Sequence, residues 1–560
     1  MGKVLLMDKS VARQKRLASY RAEKDDYIGA LSLLMSIKED NPSYETYMAI
    51  ADLYSDMGLL ELSNRYWYKY LFYAPKDKVS TAYEELAINF FYSDNILASG
   101  YYFQKKLEVD GYISQEGIDK EVLDFFSGEE FKKHAYRVVY PFDKADYEPE
   151  KKNGKRAIGI GAFEEAVKIL SKIPKEVRDE DVSGELAVAL FMTDDHDGAE
   201  AVCRESLKAH GETVTAYCNL STVYDMRKDY SNSEYYYKKA LECEKGDKSE
   251  AYKIATCAIE RQDHLTVKRC LESILNDRPY EISMLFFYGV VLLNLGDYIS
   301  AVQAFKKAYR TDPTDIVTKF YLDYALMLSR GEQDKEKLLP LNYEKVLPQK
   351  IETKWCKEIK ALTKNIDKCV LTMRKKENHD KIIWGLYNGS DLDMRAALFV
   401  ASYANNKTFS HLAQEVLLNP DAKEPLKRLL TYVLIVKGHK KRTGVVAGGL
   451  YIEFTPKKLK CEKNSDGGLY LSAYALCMSK MISYGVDDLE RIGSACDEVY
   501  LAIGKTVTEA EVSNEEIAGL ILYLSGYEKY SKIKECIKIF EVTEEKLETL
   551  AKLYLSSRKE

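Results

Sequence analysis

The residues that could do chemistry in this chain are few and scattered. No GxxxxGK[ST], HExxH or GxSxG occurs, so a phosphate cradle, a zinc-protease helix and a nucleophile elbow are all missing. Gly159-x-Gly161 lies before a helix, but no strand precedes it and the third glycine of a dinucleotide fingerprint is absent. The seven histidines (His134, His196, His210, His264, His379, His411 and His439) are spread along the chain. Asp194-Asp195-His196-Asp197 could touch a cation, yet its turn-rich composition reads as a solvated turn. The eleven cysteines form no CxxC pair and no regular framework; Cys203, Cys218, Cys243, Cys257 and Cys270 fall in predicted helices. Buried free thiols in a reducing compartment are expected. No enzymatic activity, metal or cofactor is expected.

One cluster carries concentrated charge. Lys437, His439, Lys440, Lys441 and Arg442 follow a predicted helix. Cations at a helix C-terminus are favoured by its dipole. A nucleic-acid contact is the competing reading, and the net charge of −6 weighs against it.

Bulk properties are those of a folded chain. Of 560 residues, 46% are hydrophobic and 30% charged, enough for several domains or one long solenoid with a cap. Tyrosine outnumbers phenylalanine 43 to 18, which suits helix seams whose edges touch water. No run of about 18 apolar residues exists, so no membrane span is expected. The opening MGKVLLMDKSVARQKR has too short an apolar core for a secretory signal, and Leu6 stands where a myristoylation motif needs Ser or Thr. A cytoplasmic location is the expectation.

The elements follow from periodicity. Ser283 to Pro313 reads as one helix–turn–helix unit: Gly289 lets the first helix approach the second, Gly296-Asp297 breaks the pattern, and Ala301, Phe305 and Ala308 share a face of the second helix. Pro313 stops it. Ser206, Ala240, Ile274 and Ala308 recur at one constant step of about 34 residues, and His196, Tyr230, His264 and Tyr298 recur at the same step. Pro42 to Pro75, enclosing Tyr47, Ala51, Tyr54, Gly58, Trp67 and Tyr70, spans nearly the same period. Four registers agreeing at one period mark a repeat array in which each unit completes its core on its neighbour.

This small–aromatic–small pattern, with its period of about 34 residues, resembles the tetratricopeptide repeat (TPR). The resemblance implies an all-α fold: a TPR-type right-handed solenoid followed by a C-terminal helical domain. It also implies that the first helices line a concave groove. The residues at those positions are Val188, Phe191 and Met192; Thr222 and Met226, with Cys218; Tyr252, Thr256 and Ile259; and Phe286, Val290 and Leu293. An apolar strip with Met and aromatics would receive a helix or an extended segment of another protein. TPRs that grip a chaperone's C-terminal carboxylate use Lys and Asn at two of these positions. Here those places hold Met48, Gly184, Cys218, Tyr252 and Phe286, then Asp52, Val188, Thr222, Thr256 and Val290, so that clamp is missing.

The remaining segments divide the chain. Residues 1–110 form a first repeat run. Residues 111–156 combine an irregular helix with a charged loop or linker from about Pro141 to Arg156, either a hinge or an insertion, with a turn at Asn153-Gly154. Residues 157–331 are the second run, in which Ala162 onward supplies a second helix whose first helix is short or lost. Residues 332–442 read as helical pairs of HEAT-like length. Residues 443–560 hold a small hairpin near 443–456, around Gly448-Gly449, then further helices. The final KIKECIKIFEVTEEKLETLAKLY resembles a helix-turn-helix, with Ile537, Val542 and Leu547 at its core places and Glu541 where glycine is usual. Glu544, Glu545 and Glu548 on its second helix would be repelled by DNA, so a structural or protein-contacting pair is the reading. The function expected is a non-enzymatic scaffold that binds a protein partner in the groove. The alternative is a regulator linked to nucleic acid through the C-terminal domain.

Overall fold

The computed structural model describes residues 2–40, 42–111, 147–246, 248–374, 379–460, 465–484, 486, 489–504, 506–507 and 512–557. These fall into two compact units, Met1–Ser127 with Gln349–Glu560, and Gly128–Pro348. The helix expected around 122–142 lies outside the described residues.

The first unit begins with three consecutive helix pairs: α1 (Gly2–Ala22) with α2 (Tyr27–Asp40), α3 (Tyr44–Asp56) with α4 (Leu60–Tyr73), and α5 (Val79–Tyr92) with α6 (Ile96–Val109). Tyr47, Tyr54, Tyr66, Trp67, Tyr68 and Tyr102 are fully buried here, so much of the tyrosine content is core.

The second unit is the better-phased array. Its pairs are α7 (Glu148–Gly159) with α8 (Phe163–Leu170), α9 (Glu180–Met192) with α10 (His196–His210), α11 (Val214–Met226) with α12 (Tyr230–Cys243), α13 (Lys248–Glu260) with α14 (His264–Asp277), and α15 (Ile282–Asn294) with α16 (Tyr298–Thr311). A single helix, α17 (Ile316–Ser329), follows. Each second helix from α10 to α16 starts at an aspartate: Asp195, Asp229, Asp263 and Asp297 accept from the N–H of Gly198, Asn232, Thr266 and Ser300. Asp195 in the acidic turn is therefore a helix cap.

Two expectations need correction. Residues 148–156 are not a linker, because α7 is the first helix of the unit completed by α8. Gly154 is not at a turn; it sits inside α7, where a Cβ would lie 2.3 Å from Leu170 Cδ2 of α8. Its polar sequence is misleading because only Gly154 and Ala157 of this helix are fully buried. Residues 332–348 are not helical, and they stay with the repeat unit.

The first unit resumes with α18 (Gln349–Leu362), α19 (Ile366–Arg374), α20 (His379–Tyr387), α21 (Asp391–Ser402), α22 (Asn406–Leu417) and α23 (Glu424–Val436). The hairpin is present: β1 (Thr443–Ala447) pairs antiparallel with β2 (Leu450–Phe454), Val445 opposite Ile452. Gly448 and Gly449 both have positive φ, as a two-residue hairpin turn requires. Tyr68 and Tyr102 donate to the Gly449 carbonyl at 2.9 and 2.6 Å, and Tyr102 Oη accepts from the Tyr451 N–H at 3.0 Å. Five helices complete the unit: α24 (Ser465–Ser483), α25 (Glu490–Ile503), α26 (Asn514–Leu524), α27 (Ile533–Phe540) and α28 (Glu544–Ser557).

The helices of the last pair also pack closely, at Gly289. A Cβ there would meet three Phe305 ring carbons at 2.6–2.7 Å, and that ring is fully buried against Phe286 and Tyr321. Gly289→Ala is expected to cost about 1–3 kcal/mol, the usual range for overpacking. Urea denaturation followed by circular dichroism measures it. Adding Phe305→Leu should leave the pair less destabilised than the sum of the single changes; strict additivity would mean that the two sites do not clash.

Candidate functional site

The concave side of the second unit is lined by α7, α9, α11 and α13, and these enclose a cavity of about 850 Å³. Its apolar floor contains Val182, Val188, Cys218 and Cys257, and Thr222 and Thr256 stand beside them. Cys257 Sγ lies 3.8 Å from the Cys218 carbonyl oxygen. The hydrogen bond between the two sulfurs, then burial, push the Cys218 thiol well up, and the same bond pulls Cys257 down.

The walls are charged, and the sequence reading missed them. Lys151, Lys152 and Lys155 come from α7, Asp179 precedes α9, Asp181 and Glu185 lie on α9, and Lys253 lies on α13. Lys151 pairs with Asp179 at 2.7 Å and with Glu148 at 3.1 Å. Lys253 donates to Thr215 Oγ1 and lies 3.8 Å from Asp181. Asn219 Nδ2 donates to the Gly184 carbonyl at 3.2 Å, tying α11 to α9 across the floor. Assigning 148–156 to a loop hid three of these lysines. The signal that could have found them is Gly154, which precedes Ala187 by nearly one repeat and holds the same small-residue place.

Glu200 of α10 fixes the next helix in register. It accepts from Arg204 and Tyr224 at 2.7 Å each and from Arg227, the last two on or just after α11. Burial pushes its carboxyl up, but these bonds win and hold it at about 2.

The predicted groove residues divide into two groups. Val188, Met192, Met226 and Tyr252 are 37%, 50%, 58% and 48% exposed, and Thr256 is exposed too. Phe191, Thr222 and Ile259 are half-buried, Phe191 with its ring 5.5 Å from His196. Val188, Thr222 and Thr256 meet in the cavity; the others lie outside its lining. Phe286, Val290 and Leu293 share the register but not the exposure: they are 0%, 0% and 1% exposed.

The basic cluster is largely spent inside the first unit. Lys437 donates to the Ser402 carbonyl and lies 5.0 Å from the Phe409 ring centroid. Arg442 donates to the Phe72 carbonyl, lies 5.1 Å from that ring centroid, and sits 3.4 Å from Glu453. His439 is 3.1 Å from Thr443 Oγ1, and burial with Lys441 nearby pushes its pKa down. Lys440 and Lys441 are exposed. At the C-terminus, Glu541 takes the left-handed conformation at the turn between α27 and α28. Leu547 is buried against the Gly519 position of α26, and Glu544 and Glu545 face outward.

Glu185 offers a direct check on the cavity. Burial pushes its pKa up, and Lys155 opposes the shift. A carboxyl raised when folded costs stability once ionised, so the cost is absent below the unfolded value of about 4.3 and grows as pH rises through the folded value. Glu185→Gln should therefore be more stable than the parent at pH 7, with the gain vanishing near pH 4. Lys155→Ala should raise the Glu185 pKa further. Carboxyl carbon NMR titration and thermal melts at the two pH values read both.

The family model for the tetratricopeptide repeat matches residues 282–315. No curated protein matches the chain. Among solved structures, yeast Tom70 is 14% identical, covering 89% of this chain and 100% of its own, with a TM-score of 0.28. The TPR2AB domain of yeast Sti1, solved in a pHSP90 complex, is 16% identical over 48% of this chain and 98% of its own, with a TM-score of 0.20. A tetratricopeptide repeat protein from Parabacteroides merdae is 13% identical over 50% of this chain and 98% of its own, with a TM-score of 0.28. Residues 282–315 thus form a tetratricopeptide repeat, in phase with the three helix pairs before them.

Proposed function

We propose that the cavity over α7, α9, α11 and α13 receives a segment of a partner protein, and that the chain acts as a non-enzymatic scaffold. The observation that carries this is the row Val188–Thr222–Thr256, exposed at both ends and half-buried at Thr222, along an 850 Å³ concavity whose walls bear charges of both signs. Side chains of that size leave room for a chain between the helices, and the flanking Lys and Glu can read polar groups on it. The ten described cysteines are free thiols, which suits a reducing compartment, and we place the protein in the cytoplasm. Phe286 is a packing residue in this account, since its ring lies 4.9 Å from that of Tyr321, so its loss tests stability rather than binding.

Photo-crosslinking tests the proposal. A benzoylphenylalanine at Thr256 should trap a partner polypeptide in cells, and one at exposed Lys208 on α10 should not. Val188→Glu with Thr222→Glu should reduce the trapped product at least about tenfold, as expected when charge replaces apolar contacts at an interface centre. Undiminished trapping by a variant with the parent melting temperature would overturn the groove as the binding surface.

A further inference from the structure

The groove changes character between α13 and α15, and the change coincides with a segment of the chain itself. Residues 334–347 follow α17 without forming a helix. From Leu341 to Leu347 their burial alternates: Leu341, Tyr343 and Leu347 are buried, Lys345 is half-buried, and Asn342, Glu344 and Val346 are exposed. The inward face thus takes every second side chain, along a stretch that bends at Pro340, Tyr343, Lys345 and Val346.

Among the described residues no strand partners this segment; side chains hold it. Asn294, the last residue of α15, makes two bonds to Leu341: its Oδ1 accepts from the Leu341 N–H at 2.7 Å and its Nδ2 donates to the Leu341 carbonyl at 2.9 Å. Tyr321 of α17 donates to the Val346 carbonyl at 3.0 Å. Lys345 pairs with Asp315 at 2.7 Å, and Tyr343 Oη lies 2.7 Å from His264 Nδ1. Asn294 stands one repeat after Glu260 and two repeats after Met226, the same groove-side place in each. Leu341 is thus anchored at the C-terminal end of α15 and Val346 beside Tyr321, whose ring packs on Phe286. The two anchors lie on α15, which carries Phe286, Val290 and Leu293, and on α17.

We propose that residues 338–347 are a displaceable ligand held in cis, and that this end of the groove takes a non-helical partner segment with apolar side chains at every second position. The proposal rests on the reading of the concave face as a protein-binding groove, and it adds the ligand's conformation and pattern. Every anchor is available to a second chain: an amide that reads only backbone, a tyrosine hydroxyl aimed at a carbonyl, and an acid for a cation between apolar residues. A tethered occupant lowers the apparent affinity of a competitor by its effective concentration, so the partner must compete or the tether must be loosened.

The probe is a labelled synthetic peptide of residues 337–348, titrated by fluorescence polarisation into the full chain. Leu341→Ser with Leu347→Ser weakens the tethered copy and leaves the groove intact. That variant should bind the peptide at least tenfold more tightly than the parent, and adding Asn294→Ala should weaken the gain at least fivefold. Equal binding by parent and variant, or binding indifferent to Asn294, would overturn the proposal. Should the double serine variant lose helical signal, hydrogen exchange on the parent decides. The Leu341 amide should exchange at least tenfold faster than the Val290 amide in α15, and equal protection would mean a permanent part of the fold. The peptide assay needs no partner, so its failure and a failed crosslink in the open cavity are separate results.

Discussion

The second unit depends on how closely the two helices of a repeat can approach. Where Phe305 of α16 lies across α15, no room remains for even one carbon at residue 289. The same approach is met with small residues in the other repeats, at Ala187, Ser221 and Ala255 on the first helices and at Ala199 and Ser233 on the second. In the α11–α12 pair the contact is polar but equally close: Ser221 and Ser233 each donate to the other's backbone carbonyl, at 2.9 and 2.8 Å. Fixed helix spacing in turn fixes which residues of α9, α11 and α13 face the concavity. The groove is a consequence of the seam, and no residue of the groove needs to hold it open.

That seam is what made the array readable. Small residues at one period are required by geometry, so they survive as a pattern whatever surrounds them. Where the pattern failed, other physics dominated. Glu148–Gly159 is charged because most of that helix faces water, and a lone Gly154 in a polar stretch looks like a turn unless its contact with Leu170 is known. Residues 338–347 alternate over too few positions to stand out, and their partners Asn294, Tyr321, Asp315 and His264 lie far back in the sequence on or beside other helices. The hairpin was legible because Gly448-Gly449 is a turn that few other structures use. The cavity's apolar row was legible from register, whereas its charged walls depended on recognising α7.

Within the first unit, polar groups that looked available are consumed by long-range contacts. Lys69 is fully buried beside Glu415 at 2.5 Å; burial pushes the lysine down to about 8, and burial of the acid is overcome by Lys69 and Lys38, which hold it at about 2. Arg65 pairs with Asp421 at 2.6 Å. These ties, with Tyr68 and Tyr102 on Gly449, bind the first helix pairs to the hairpin and to α22 and its following turn. Breaking one partner of such a buried pair is costly because the other charge is stranded, so the pairs specify one arrangement more than they add net stability. Lys437 and Arg442 belong to the same set of contacts.

The closed and open stretches of the groove differ in what packs on them: Phe286 lies against Phe305 and Tyr321, whereas Val188 and Thr256 line the cavity. Val290 and Thr256 occupy equivalent places on successive helices, one fully buried and one exposed. A repeat array presents each neighbour with nearly the same surface, so an end repeat has an apolar face that needs cover. A helix would cover the side of α17 that its missing partner leaves bare. Residues 341–347 are instead held partly through their own backbone, by Asn294 and Tyr321.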